Sequence, residues 1–134
     1  MITAVDTNIL LDILLPNETF YDRSGNALEA AAVSGSLVIC DLVYAELCVH
    51  FESQGVCDEF LSDLGIRTEA LGRPASFLAS RVWRKYRRQG GRRERILADF
   101  LIGAHAQVQA SRLLSRDRGF YRRMFPALEL IEPE

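Results

Sequence analysis

Within the first fifteen residues, MITAVDTNILLDILL, an aspartate sits between two apolar runs. Ile2, Ala4 and Val5 suit a short buried strand, and Ile9 to Leu15 suits a helix with one polar interruption, at Asp12. Asp6-Thr7-Asn8 therefore falls where a strand ends and a helix begins. In open α/β sheets the carboxyl end of the strands is where ligands bind. A carboxylate buried there is costly unless donors or a cation meet it. The remaining chain must supply that partner.

Later segments repeat the strand-then-helix pattern. Thr19 to Val33 reads as a helix ended by Gly35, and Leu37 to Cys40 as a fully apolar strand. Asp41 then suits an N-cap for Leu42 to Phe51. A helix from Ser53 to Leu64 leads through Gly65 into a strand, Ile66 to Glu69. Pro74 opens a helix from Ala75 to Arg88, which Gly90-Gly91 ends. Ile96 to Ala110 is the most apolar helix, followed by a strand at Arg112 to Ser115. Asp117 to Met124 is a short helix stopped before Pro126, and Leu128 to Ile131 suits a last strand. Such alternation predicts an α/β fold, a short parallel sheet sandwiched between helices.

The length of 134 residues suits one domain, 1–134. No apolar run approaches the roughly 20 residues that cross a bilayer, so no membrane is expected. The N-terminus lacks the pattern of a secretory leader. Cys40, Cys48 and Cys57 form no CxxC pair and read as reduced thiols, so the expected compartment is the cytoplasm. Charge is unevenly placed. Residues 1–66 carry eleven acids and one base, whereas residues 67–134 carry fifteen bases and seven acids. Fifteen of the sixteen bases are arginine, whose planar fork suits phosphate and carboxylate. A charged partner on one side, nucleic acid or an acidic protein, is the expectation; a solvated face is the plain alternative.

Four acids stand apart. Asp6 and Asp117 follow strands, Asp99 opens the most apolar helix, and Glu46 lies on a helix among Leu42, Val43, Val49 and His50. Singly, the aspartates have ordinary uses as N-caps or as complements to a helix dipole, and Glu46 could be exposed or paired. Together, a parallel sheet would bring them to one edge. Clustered carboxylates repel, so some must protonate unless a cation binds between them. Oxygen-only ligands suit Mg²⁺ or Mn²⁺. Gly103 and Ala106 would leave room beside Asp99. His50 and His105 read as structural, Asp12 as part of a solvated turn.

Four blocks then carry a family resemblance: Asp6-Thr7-Asn8-Ile9-Leu10, Val43-Tyr44-Ala45-Glu46-Leu47, the run Ala98 to Ala106 around Asp99, and Leu114-Ser115-Arg116-Asp117-Arg118-Gly119-Phe120-Tyr121. In order and spacing the chain resembles the PIN domain, and more narrowly the VapC-type toxins of toxin–antitoxin pairs. The resemblance implies a Mg²⁺- or Mn²⁺-dependent endonuclease of single-stranded or structured RNA. It would leave 5′-phosphate and 3′-hydroxyl ends, inhibiting growth or translation. It also implies a VapB-like antitoxin and a homodimer, for which the apolar helices around Leu42 to Phe60 could supply the interface. The family's acidic quartet falls on Asp6, Glu46, Asp99 and Asp117, with Asp6, Asp99 and Asp117 as metal ligands. Its polar companions fall on Thr7 or Asn8 near the first acid and on Ser115. The stretch from Glu52 to Arg95 carries little of the likeness.

Eight bases crowd Arg81 to Arg95, interleaved with Trp83 and Tyr86. Aromatic residues between bases are a means of holding single strands, but here they fit a buried stripe better. Arg92 and Arg93 on the glycine loop, and Arg116 and Arg118 beside Asp117, are the expected contacts to RNA or antitoxin. A catalytically silent RNA- or protein-binding module is the alternative function. A haloacid-dehalogenase-type phosphatase is disfavoured, because it needs a second aspartate where Asn8 stands.

Overall fold

A computed structural model describes residues 1–91 and 97–134; Arg92 and Arg93 lie outside the described residues. The elements run β1 (Ile2–Val5), α1 (Thr7–Leu14), α2 (Tyr21–Ser34), β2 (Ser36–Cys40), α3 (Asp41–Cys48) and α4 (Gln54–Asp63). They continue with β3 (Ile66–Glu69), α5 (Arg73–Arg88), α6 (Leu97–Gln109), β4 (Arg112–Leu114), α7 (Arg118–Met124) and β5 (Leu130–Ile131). All strand pairs are parallel, in the order β3-β2-β1-β4-β5. Ala4 of β1 lies opposite Val38 on one side and Leu113 on the other. The expected α/β architecture, a parallel sheet flanked by helices, is what the chain adopts.

Burial explains the strand choices. Leu37, Val38, Ile39 and Cys40 are all buried, as a strand covered by helices on both faces requires. At the edge, β3 buries Ile66 but exposes Arg67 and Thr68, and such polar edges discourage further pairing. The chain builds outward from β1 to β2 and β3, then returns to the other side as β4 and β5. The carboxyl ends of β1 and β4 therefore flank the point where strand order reverses, where open sheets bind ligands.

Helices α5 and α6 pack antiparallel. Gly72 N–H donates to Gln109 Oε1 (2.8 Å) at one end, while the Tyr86 and Phe100 rings lie 5.2 Å apart at the other. Edge-on contacts of 5.1 Å link Trp83 to Phe100, Phe100 to Phe120, and Phe120 to Tyr121. This aromatic column joins α5, α6 and α7 and ends beside Asp6. Trp83 and Tyr86 are thus packed against the core, as the buried-stripe reading expects.

Some boundaries differ from the sequence expectation. Helix α1 starts at Thr7 instead of Ile9, because Asp6 caps it by accepting from Thr7 N–H. Helix α3 stops at Cys48, short of Phe51, where His50 and Phe51 turn to three-residue-back bonds with Leu47 and Cys48. Asp41 is its first helical residue instead of its cap, and Asp41 Oδ2 accepts from Leu71 N–H (3.3 Å). The thiols of Cys48 and Cys57 stand 3.3 Å apart, both free. Among the described residues no helix is long and apolar enough to cross a membrane.

Candidate active site

Asp6 leaves β1 with its backbone still in the ladder: its N–H donates to the Leu114 carbonyl of β4 (2.9 Å). Its side chain is only 5% exposed. Oδ1 accepts from Thr7 N–H (2.8 Å), and Oδ2 accepts from the Ser115 hydroxyl (2.7 Å) and more loosely from Asn8 Nδ2 (3.4 Å). The hydroxyl of Tyr121, itself 1% exposed, also donates to this carboxylate. These donors favour the ionised form, yet burial outweighs them and Asp99 adds a like charge, pushing the Asp6 pKa up to about 6.

Tyr121 reports the convergence of three acids. Burial first, then the charges of Asp6 and Asp99, hold its phenol far above its ordinary range, and Asp117 acts in the same direction. The phenol stays protonated and available as a donor. Asp99 stands in the first turn of α6 and Asp117 at the N-cap position of α7, both half-buried; the Asp117 side chain does not cap that helix.

The polar companions tie the acids together. Ser115 Oγ donates to Asp6 and accepts from Asp117 N–H (2.9 Å), bridging the ends of β1 and β4. Asn8 Nδ2 also reaches Ser115 Oγ (3.4 Å), while Asn8 Oδ1 accepts from Arg116 N–H (3.2 Å). The Thr7 hydroxyl donates to Glu46 Oε1 (2.7 Å), drawing α3 toward the same edge. Glu46 is exposed, so of the four acids only Asp6 is buried.

Two residues behave unlike the sequence expectation. Asp12 is buried instead of sitting in a solvated turn, and it accepts both Nε and Nη2 of Arg116 as well as the Ser24 hydroxyl. Gly103 leaves no room beside Asp99. The Phe125 ring fills that side of the helix, and a Cβ there would fall 2.4 Å from it. Arg118 pairs with Glu132. His105 is buried and bonds Glu69 Oε1 at 3.0 Å, the structural role expected of it. Tyr121 was not singled out from sequence; only its place four residues after Asp117, one helical turn on, hints at the contact.

Among the described residues no three acidic, histidine or cysteine side chains stand close enough to enclose a metal as they are. The donor set nonetheless suits a hard divalent cation. It offers carboxylates, hydroxyls and the Asn8 carboxamide, with no imidazole or thiol, and no cationic side chain is bonded to Asp6 among the described residues.

A family model described as PIN domain matches residues 3–125. The chain belongs to the PIN domain family. Nuclease chemistry is the family expectation for such a domain, and divalent metal use goes with it. Solved structures similar to this chain include VapBC2 from Rickettsia felis bound to a DNA fragment from its promoter (21% identity, 100% of each chain, TM-score 0.76). VapBC-1 from nontypeable Haemophilus influenzae is similar at 17% identity over 98% of each chain, TM-score 0.70. A toxin–antitoxin complex from Klebsiella pneumoniae is similar at 19% over 98% of each chain, TM-score 0.71. At these identities the likeness is one of fold. No curated protein matches the chain.

Proposed function

We propose that this PIN domain is a VapC-type toxin, a metal-dependent endonuclease of single-stranded or structured RNA. The observation that carries the reading is Asp6, buried at the sheet's reversal point, raised in pKa and facing the charge of Asp99. A carboxylate in that state gains most from a bound cation.

Asp6, Asp99 and Asp117 are the proposed ligands of Mg²⁺ or Mn²⁺, which take oxygen donors and work on phosphates. A cation held by them would lower the pKa of water and offset negative charge on phosphoryl oxygens. The chain's own groups set the geometry. Ser115 and Tyr121 hold the Asp6 carboxylate in place by donating to it. Thr7 holds Glu46 by one oxygen, and Glu46 would complete the ligand shell or orient a water toward phosphorus. Ser115 keeps Asp117 in register with Asp6. A 5′-phosphate and a 3′-hydroxyl are the proposed product ends.

An antitoxin partner is supported by the fold neighbours, which are structures of toxin–antitoxin complexes. A homodimer in the cytoplasm belongs to the same reading, with Val49 and Val56 exposed near the α3–α4 surface. The rival, a silent binding module, draws on the open spacing of the acids. Melting with and without Mn²⁺, alongside cleavage of labelled RNA, separates them. A nuclease gains about 2.7 kcal/mol at a hundredfold excess over Kd and cuts only with metal; a silent module binds RNA without either effect.

A further inference from the structure

The cationic residues of α5 and α7 form a site that the acidic centre does not use. A cleft of ≈ 440 Å³ opens between the two helices, lined by Arg81, Lys85 and Gln89 on one side and Arg123 on the other. Among the described residues no carboxylate lines it. Lys85, Arg84, Arg88, Arg122 and Arg123 make no ion pair among the described residues. Arg81 is stacked over Phe77, 4.4 Å from the ring centroid, which steadies its guanidinium. Beside them, the like charges of Arg81 and Arg88 push the Arg84 pKa down.

The cleft is built partly on α7, the helix that Asp117 precedes. Tyr86, in its wall, lies 5.2 Å from Phe100, the neighbour of Asp99 in sequence. Arg123 stands on α7, six residues from Asp117 and about 9 Å along the helix. We propose that this α5–α7 cleft binds backbone phosphate of the single-stranded RNA whose scissile bond lies at the acids. The inference rests on the nuclease reading for its substrate and goes beyond it by naming where the strand is held. Guanidinium forks suit phosphate oxygens, and a cationic groove is how strands are held without base reading.

The test is anisotropy of a fluorescein-labelled oligouridine in EDTA, across a salt series, for the whole chain and for Lys85→Gln/Arg123→Gln. Both residues are exposed, so the variant keeps its fold. The expected result is a Kd raised roughly tenfold at low salt, with the salt slope falling by about 0.7 per lost contact. Arg67→Gln, which removes one charge from edge strand β3, leaves Kd and slope unchanged. The proposal is overturned if the double variant binds normally, if Arg67→Gln weakens binding as much, or if only an oligoglutamate probe is lost. Binding through the cleft with no cleavage in Mn²⁺ sinks the nuclease reading and leaves the cleft standing. Metal-dependent cleavage with binding untouched by the double variant does the reverse.

Discussion

Arg116 grips Asp12 with both arms of its guanidinium, Nε to Oδ2 at 2.7 Å and Nη2 to Oδ1 at 3.0 Å, across 104 positions of sequence. The same guanidinium lies 4.0 Å from the centroid of the Phe20 ring. Arg116 stands between Ser115 and Asp117, so the grip fixes the end of β4 against α1 and α2. Removing one partner of a buried pair leaves an uncompensated charge. Asp12 is 4% exposed and Arg116 32%, which places the loss toward the lower end. Arg116→Ala is expected to cost about 3 kcal/mol, read by urea unfolding. Arg116→Lys keeps the charge but not the fork, and falls between.

The Asp6 pKa sets a stability profile in the metal-free protein. Its folded value, about 6, lies above the unfolded 3.8. Between those values the folded state binds more protons, so stability falls as pH rises from about 4 to 6 and then levels. The net cost of keeping Asp6 ionised in the fold at neutral pH is on the order of 3 kcal/mol. Asp6→Asn should therefore melt higher than the parent at pH 7, a gap that closes near pH 4. Melting curves across that range check it, and saturating Mn²⁺ should shrink the gap by stabilising only the parent.

Tyr121→Phe removes one donor from the Asp6 carboxylate while leaving the aromatic column intact. Loss of a hydrogen bond to a charged group costs about 1.5–3 kcal/mol, and the Asp6 pKa moves further up. Carboxylate NMR titration reads the second effect; a downward or absent movement would show that the phenol does not support Asp6.

Gly103 is held by Phe125, buried and packed where a side chain would stand. Gly103→Ala gains about 1 kcal/mol of helix propensity but meets an overpacking cost of about 1–3 kcal/mol. Chemical unfolding should show a net loss. A gain would mean that Phe125 moves aside freely.

The legible part of this protein follows from local pattern. Apolar β2, the acids after β1 and β4, and the Asp99 helix each announce themselves within a few residues, and their spacing carries the family. What sequence left hidden depends on distant partners. Asp12 looks like a polar break in an apolar helix until Arg116 and Ser24 arrive from elsewhere in the chain. Tyr121 reads as core because its ring is core; only its hydroxyl belongs to the site. Gly103 looks like open space because the ring that fills it comes from beyond α7.

The central claim, that Asp6 anchors a metal-dependent RNA-cleaving centre, is tested most directly by cleavage of a labelled single-stranded RNA in Mn²⁺ with purified parent and Asp6→Asn. The parent is expected to cut in Mn²⁺ and not in EDTA. The variant, folded and more stable without metal, is expected to lose at least about a hundredfold in rate, a barrier increase of about 2.7 kcal/mol. Undiminished metal-dependent cleavage by Asp6→Asn would contradict the account.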